Sequence, residues 1–161
     1  MDGPRSPGDG MVTVATDIRA AVASVVDPEI PVLTIEHLGV LRSIDTSGDT
    51  VVVTITPTYS GCPAMRQIED DIGSALERAG VQSYEIEVTH NPPWSTDWIS
   101  EEGHRKLSEF GIAPPTEPAD VLCPRCSADR PEMIARFGST ACKALMACSA
   151  CGEPFDYFKR F

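Results

Sequence analysis

The sequence predicts an α+β fold: a small helix-strand-strand-helix-strand domain followed by a compact module organised by four cysteines. Three observations predict it. Apolar residues recur at helical spacing over 14–26 and again over 62–79. β-branched or alternating runs occupy 38–44, 50–56 and 84–88. Two Cys-x-x-Cys pairs lie in the last forty or so residues of the chain.

Each element has its own signal. Val14, Ile18, Ala21, Val22 and Val25 form one stripe of an amphipathic helix, and Asp27-Pro28 ends it, because a residue before proline is pushed out of the helical region. Asp27-Pro28-Glu29-Ile30-Pro31 is then a loop with two carboxylates. Leu38 to Ile44 and Thr50 to Thr56 are separated by the turn-forming run Asp45-Thr46-Ser47-Gly48-Asp49, which predicts a β-hairpin. Cys62, Met65, Ile68, Ile72, Ala75, Leu76 and Ala79 mark a second helix, with Pro63 suited to its first position and Gly80 to its stop. Tyr84 to Val88 alternates Ile86 and Val88 with Glu85 and Glu87, a third strand. Residues 13–90 are therefore expected to form one domain of roughly eighty residues, large enough to fold alone. Residues 91–120 carry five prolines, Trp94, Trp98 and a short helical pattern over 101–110, and are expected to pack as a docking strap rather than a free linker. Residues 121–161 make the cysteine module.

Composition bounds the function. The chain has 161 residues and a formal net charge of −11, whereas a nucleic-acid binder needs a cationic footprint. No apolar run is long enough to span a membrane. Residues 1–12 lack the apolar core of a secretion signal and read as a disordered leader, so a cytoplasmic protein with reduced thiols is expected.

Cys123-Pro124-Arg125-Cys126 and Cys148-Ser149-Ala150-Cys151 are separated by 21 residues, which a hairpin can span. Two such knuckles offer four soft sulfur ligands, the set of a zinc-ribbon module with a structural ion and no open position for substrate. An iron–sulfur cluster and a redox pair are the alternatives for the same ligands. So small a module has too little core of its own, and its metal is expected to supply much of its folding energy.

Two further thiols stand apart. Cys62 falls at a predicted helix N-terminus, where the dipole favours a thiolate and hence a nucleophile or metal ligand; a cysteine with no chemistry is the alternative. Asp27 and Glu29 are candidates to approach it, with a solvated loop as the default. Cys142 reads either as a buried packing residue or as an additional thiol activated by Lys143. His37, His90 and His104 are scattered and suggest no ligand set.

Asp27-Pro28-Glu29-Ile30-Pro31-Val32, His37-Leu38-Gly39-Val40 and Thr56-Pro57-Thr58-Tyr59-Ser60-Gly61-Cys62-Pro63 resemble the SufT-like iron–sulfur assembly domain over about residues 14–90. Pro92-Pro93-Trp94-Ser95-Thr96-Asp97-Trp98-Ile99, Phe137-Gly138-Ser139-Thr140-Ala141-Cys142-Lys143-Ala144 and Glu153-Pro154-Phe155-Asp156-Tyr157-Phe158 resemble the PaaD family of the phenylacetate pathway. That resemblance implies a role beside the multicomponent phenylacetyl-CoA 1,2-epoxidase. Cys62 would then handle transient iron or an iron–sulfur cluster near the acidic loop, and the client would be an epoxidase component, first of all its iron–sulfur reductase subunit. The alternative it implies is a non-catalytic structural subunit of the epoxidase complex; a homo-oligomer is left open. The chain carries no dinucleotide fingerprint and no Glu-x-x-His diiron motif, so an accessory without catalysis of its own is expected.

Overall fold

The computed structural model describes residues 9–161, with side chains from residue 14 onward. Residues 1–8 of the expected leader lie outside the described residues, and helix α1 (Asp9–Ala23) begins inside the rest of it. Apolar periodicity marks only the turns that bury a face. Val14 is 55% exposed, so the buried stripe starts at Ile18 and continues through Val22.

Strands β1 (Leu41–Asp45) and β2 (Val51–Ile55) form the expected antiparallel hairpin, with Leu41 opposite Ile55 and Ile44 opposite Val53. β1 starts three residues later than the apolar run suggests. Gly39 has a φ of +69°, which interrupts an extended chain, and a Cβ there would lie 2.6 Å from that of Trp98. Helix α2 (Ala64–Arg78) buries Ile68, Ile72, Ala75 and Leu76, and Pro63 sits at its cap position. It carries the chain across to β3 (Tyr84–Val88), which pairs parallel with β2, a geometry that requires such a crossover. The first sheet thus has the order β1-β2-β3, and the central strand buries Val51, Val53 and Ile55 on one face.

The tryptophan segment fastens the two halves together. The Trp94 indole is buried and donates to the Leu38 carbonyl at 2.8 Å, while its ring leans on Phe158 and Phe161 with centroids 6.1 and 6.3 Å away. The Arg42 guanidinium lies 3.7 Å from the centre of the Trp98 ring. Ser100 caps helix α3 (Glu101–Phe110) by accepting from the Gly103 N–H at 3.0 Å.

The second sheet has the order β4-β7-β6-β5, built from β4 (Ile112–Ala113), β5 (Glu132–Ala135), β6 (Lys143–Ala147) and β7 (Pro154–Phe158). β5, β6 and β7 run antiparallel in series, and β4 joins β7 in parallel. Its own apolar cluster is small: Ala113, Val121, Ala144, Met146, Phe155, Tyr157 and two cysteines. Cys142 and Phe158, although they belong to this half of the chain, are buried in the core of the first domain. No described helix is long and apolar enough to cross a membrane.

Candidate functional site

The two cysteine pairs converge. The Sγ atoms of Cys123 and Cys151 are 3.8 Å apart, those of Cys126 and Cys148 are 3.5 Å apart, and all four lie within 4.8 Å of one another. Metal–sulfur bonds of about 2.3 Å in a tetrahedron imply sulfur–sulfur edges of about 3.8 Å, so the four thiolates match one tetrahedral ion. Tight turns aim them. The Ser127 N–H donates to the Cys123 carbonyl at 2.8 Å with Ser127 at a φ of +61°, and the Gly152 N–H donates to the Cys148 carbonyl at 2.9 Å with Gly152 at +74°. The Cys151 N–H points at the Cys148 sulfur, 3.4 Å away, and holds that thiol below its ordinary pKa. Cys123 and Cys148 are buried whereas Cys126 and Cys151 are exposed, so the centre sits at the module's surface. Arg125 and Glu153 pair across the two knuckles. This is a four-cysteine metal-binding centre.

A second constellation joins the two halves of the molecule. Asp27 follows α1, and its Oδ1 accepts from the N–H groups of Glu29 and Ile30 at 2.8 Å each, which turns the chain and drives Ile30 into the core. Burial raises the Asp27 carboxyl, and burial followed by the Asp27 charge raises that of Glu29. The charges of both are felt at Cys62, in the loop that enters α2.

Cys62 does not carry the depressed thiol that its place before a helix suggests. The Ala64 N–H does favour its thiolate, but burial outweighs that bond, and Glu29 and Asp27 push the same way, so the thiol is raised. It is also half-buried rather than exposed. Cys142 shows the same reversal: burial outweighs the Thr140 hydroxyl, 3.0 Å from its sulfur, and the nearby Lys143 ammonium. Lys143 is itself 4% exposed and pairs with Asp156 at 3.5 Å.

The structure brings Asp27, Glu29, Cys62 and Cys142 into one electrostatic neighbourhood, away from the four ribbon cysteines. Tyr59 belongs to it as well: burial first, then the charges of Cys62 and Glu29, push its phenol up to about 12. Nothing in the residue pattern around Tyr59 singles it out. His37 stands apart, its Nδ1 accepting from the Thr34 N–H at 3.1 Å.

The raised carboxyl at Asp27 gives a pH-dependent stability with a definite sign. A carboxyl whose folded pKa lies above its unfolded value near 3.8 favours the fold below that value, and the contribution is lost as pH rises through the folded pKa. Asp27→Asn keeps the Oδ1 acceptor of the turn and removes the buried charge. Thermal melts should show the variant more stable than the native chain at pH 7, with the gap closing as pH falls towards 3.8. A variant less stable at pH 7 would mean that the carboxylate's bonds to the Ile30 and Glu29 N–H groups, with the attraction to Lys143, outweigh desolvation.

Comparison with known proteins separates the chain into the same two parts. Residues 15–88 match the family described as iron–sulfur cluster assembly protein, and residues 108–159 match the PaaD zinc beta ribbon domain. A protein of Escherichia coli (strain K12), provisionally named as one of the subunits of 1,2-phenylacetyl-CoA epoxidase, is 43% identical over 150 residues, covering 89% of this chain and 91% of that protein. An Fe-S protein maturation auxiliary factor of Porphyromonas gingivalis is 38% identical over 93 residues, covering 56% of this chain and 88% of that protein. Among solved structures, a domain of unknown function, DUF59, from Bacillus anthracis superposes with a TM-score of 0.54 at 29% identity, over 62% of this chain and 97% of that one.

Proposed function

Because the chain belongs to the PaaD family, with an iron–sulfur cluster assembly domain ahead of a zinc beta ribbon, we propose that it matures the metal centres of phenylacetyl-CoA 1,2-epoxidase. The observation that carries this reading is the Cys62 constellation. A half-buried thiol backed by two carboxylates, at the entry to α2, offers a soft ligand without a closed coordination shell. Such a site takes a thiophilic metal and gives it up again. The client is the iron–sulfur reductase component, met in the cytosol.

The ion in the ribbon is zinc, held by Cys123, Cys126, Cys148 and Cys151. Four protein thiolates on paired knuckles leave it no free position, so it supplies folding energy and no chemistry. The ribbon, fastened to the first domain through Trp94 and Phe158, gives the client a rigid surface to meet.

A second reading, a stoichiometric non-catalytic subunit, is favoured by the name of the Escherichia coli relative. Order of addition separates the two. A maturation factor is required while the reductase acquires its cluster and dispensable afterwards, so epoxidase assembled from cluster-loaded reductase without this chain should turn over at the full rate. Restoration of rate only when this chain is mixed back in at one copy per complex would establish the subunit reading instead.

A further inference from the structure

The outer edge of the ribbon carries more apolar surface than its fold requires. β5 is the last strand of the second sheet, paired with β6 on one side only. Along it and just beyond it, Met133, Ile134 and Phe137 are 46%, 56% and 68% exposed. Single exposed apolar residues mean little, but a run of large ones at one edge marks a contact surface. Backbone pairing with another strand is not what this edge is built for. A bulge at Ile134, with Met133 opposite Met146 and Ala135 opposite Leu145, breaks the regular row of backbone groups. Contact here is made by side chains.

Charge says what those side chains meet. Residues 121–161 hold six basic and four acidic side chains, a net +2 in a chain of −11. Three of the six cations are engaged: Arg125 with Glu153, Lys143 with Asp156 and Arg160 with Glu117. The other three, Arg130, Arg136 and Lys159, are in no ion pair among the described residues. These three border the apolar run. Arg130 precedes β5 and Arg136 follows it. The Lys159 ammonium lies 4.4 Å from the centre of the Phe137 ring and donates to the Arg136 carbonyl at 3.2 Å, which fixes a positive charge beside the most exposed side chain. Asp129 and Glu132 share the stretch, but Glu132 lies on the opposite side of the strand from Met133, and cations outnumber carboxylates.

We propose that the β5 edge is a docking surface for an acidic segment of a partner protein. The segment's apolar side chains would cover Met133, Ile134 and Phe137, and its carboxylates would meet Arg130, Arg136 and Lys159. An apolar centre inside a charged rim is the usual anatomy of a protein interface. Residues 1–120 carry −13 and repel such a segment, so it approaches by the ribbon end alone, which orients the complex. A second copy of the chain brings −11 and meets the same repulsion. This gives a chemistry to the ribbon's meeting with a client and rests on that reading; it is independent of any metal at Cys62.

The test is fluorescence anisotropy on the full, zinc-loaded chain with two labelled synthetic peptides, one alternating leucine with glutamate and one alternating leucine with lysine. The glutamate peptide should bind about ten-fold tighter and loosen as salt rises. Arg136→Glu should weaken it about ten-fold and Phe137→Ala about five-fold. Arg78→Glu, the same charge change on α2, should leave it unaltered. All three side chains are exposed, so zinc content and circular dichroism should match wild type. No binding of the glutamate peptide, equal affinity for both peptides, or unaltered binding by Phe137→Ala overturns the inference. So does a dimer in light scattering that Phe137→Ala abolishes, which would put a second copy on this edge. Tighter binding of a labelled single-stranded oligonucleotide overturns it as well. None of these results touches the maturation reading, which order of addition tests separately.

Discussion

Replacing Cys62 by serine should leave a folded, zinc-loaded chain that no longer matures its client, with cluster occupancy of the reductase falling at least ten-fold. The reasoning is ligand chemistry. Serine keeps the shape of the side chain but offers a hard alcohol oxygen that does not ionise near neutral pH, and iron(II) in a soft site loses the thiolate that holds it. Folding should survive because Cys62 is only half-buried and α2 draws its anchorage from Ile68, Ile72, Ala75 and Leu76. Iron and acid-labile sulfide in reductase co-produced with the variant give the readout. Full occupancy with Cys62→Ser would remove Cys62 from the mechanism.

The second large effect concerns the ribbon. Cys148→Ser, or removal of the ion by a strong chelator, should unfold the C-terminal sheet outright. Metal binding in small four-ligand modules is worth on the order of 10 kcal/mol, comparable to the whole stability of an ordinary domain. The ribbon has little to set against that loss, since its own apolar cluster comprises few side chains, two of them metal ligands. The first domain has an independent core around Val22, Leu33, Ile35, Val53, Ile55 and Leu76, and should persist. The boundary will report the change. Trp94 would lose the Phe158 and Phe161 rings it leans on, so its fluorescence should shift red while a protease-resistant fragment spanning 15–88 remains. Unchanged β-sheet dichroism and melting after complete metal removal would show that the ribbon folds on packing alone.

Much of this architecture can be read from the residues, and the parts that cannot have physical reasons. The hairpin, α2 and β3 are legible because alternation and helical spacing record which face is buried, and the ribbon because its ligand spacing is the metal's own requirement. β4 is not, since two residues carry no periodicity. The parallel pairing of β2 with β3 is a consequence of the α2 crossover and leaves no mark on either strand's composition. Gly39 shows a subtler limit: the apolar run from Leu38 conceals a left-handed turn that the approach of Trp98 imposes.

The site divides along the same line. The four ribbon cysteines declare themselves by spacing, whereas Cys62 and Cys142 are eighty positions apart and share one core through the packing of the two halves. The helix-end position of Cys62 predicts the wrong direction for its thiol because the opposing effects, burial and the Asp27 and Glu29 charges, arise from tertiary packing. Tyr59 is silent in the sequence for the same reason.

Metal content measured after anaerobic purification tests the division of labour between the two sulfur groups most directly. Wild type and Cys62→Ala should each retain one tightly held zinc per chain, and wild type alone should carry additional iron that a mild chelator removes. Equal iron in both proteins, or none in wild type reconstituted with iron(II), would contradict it.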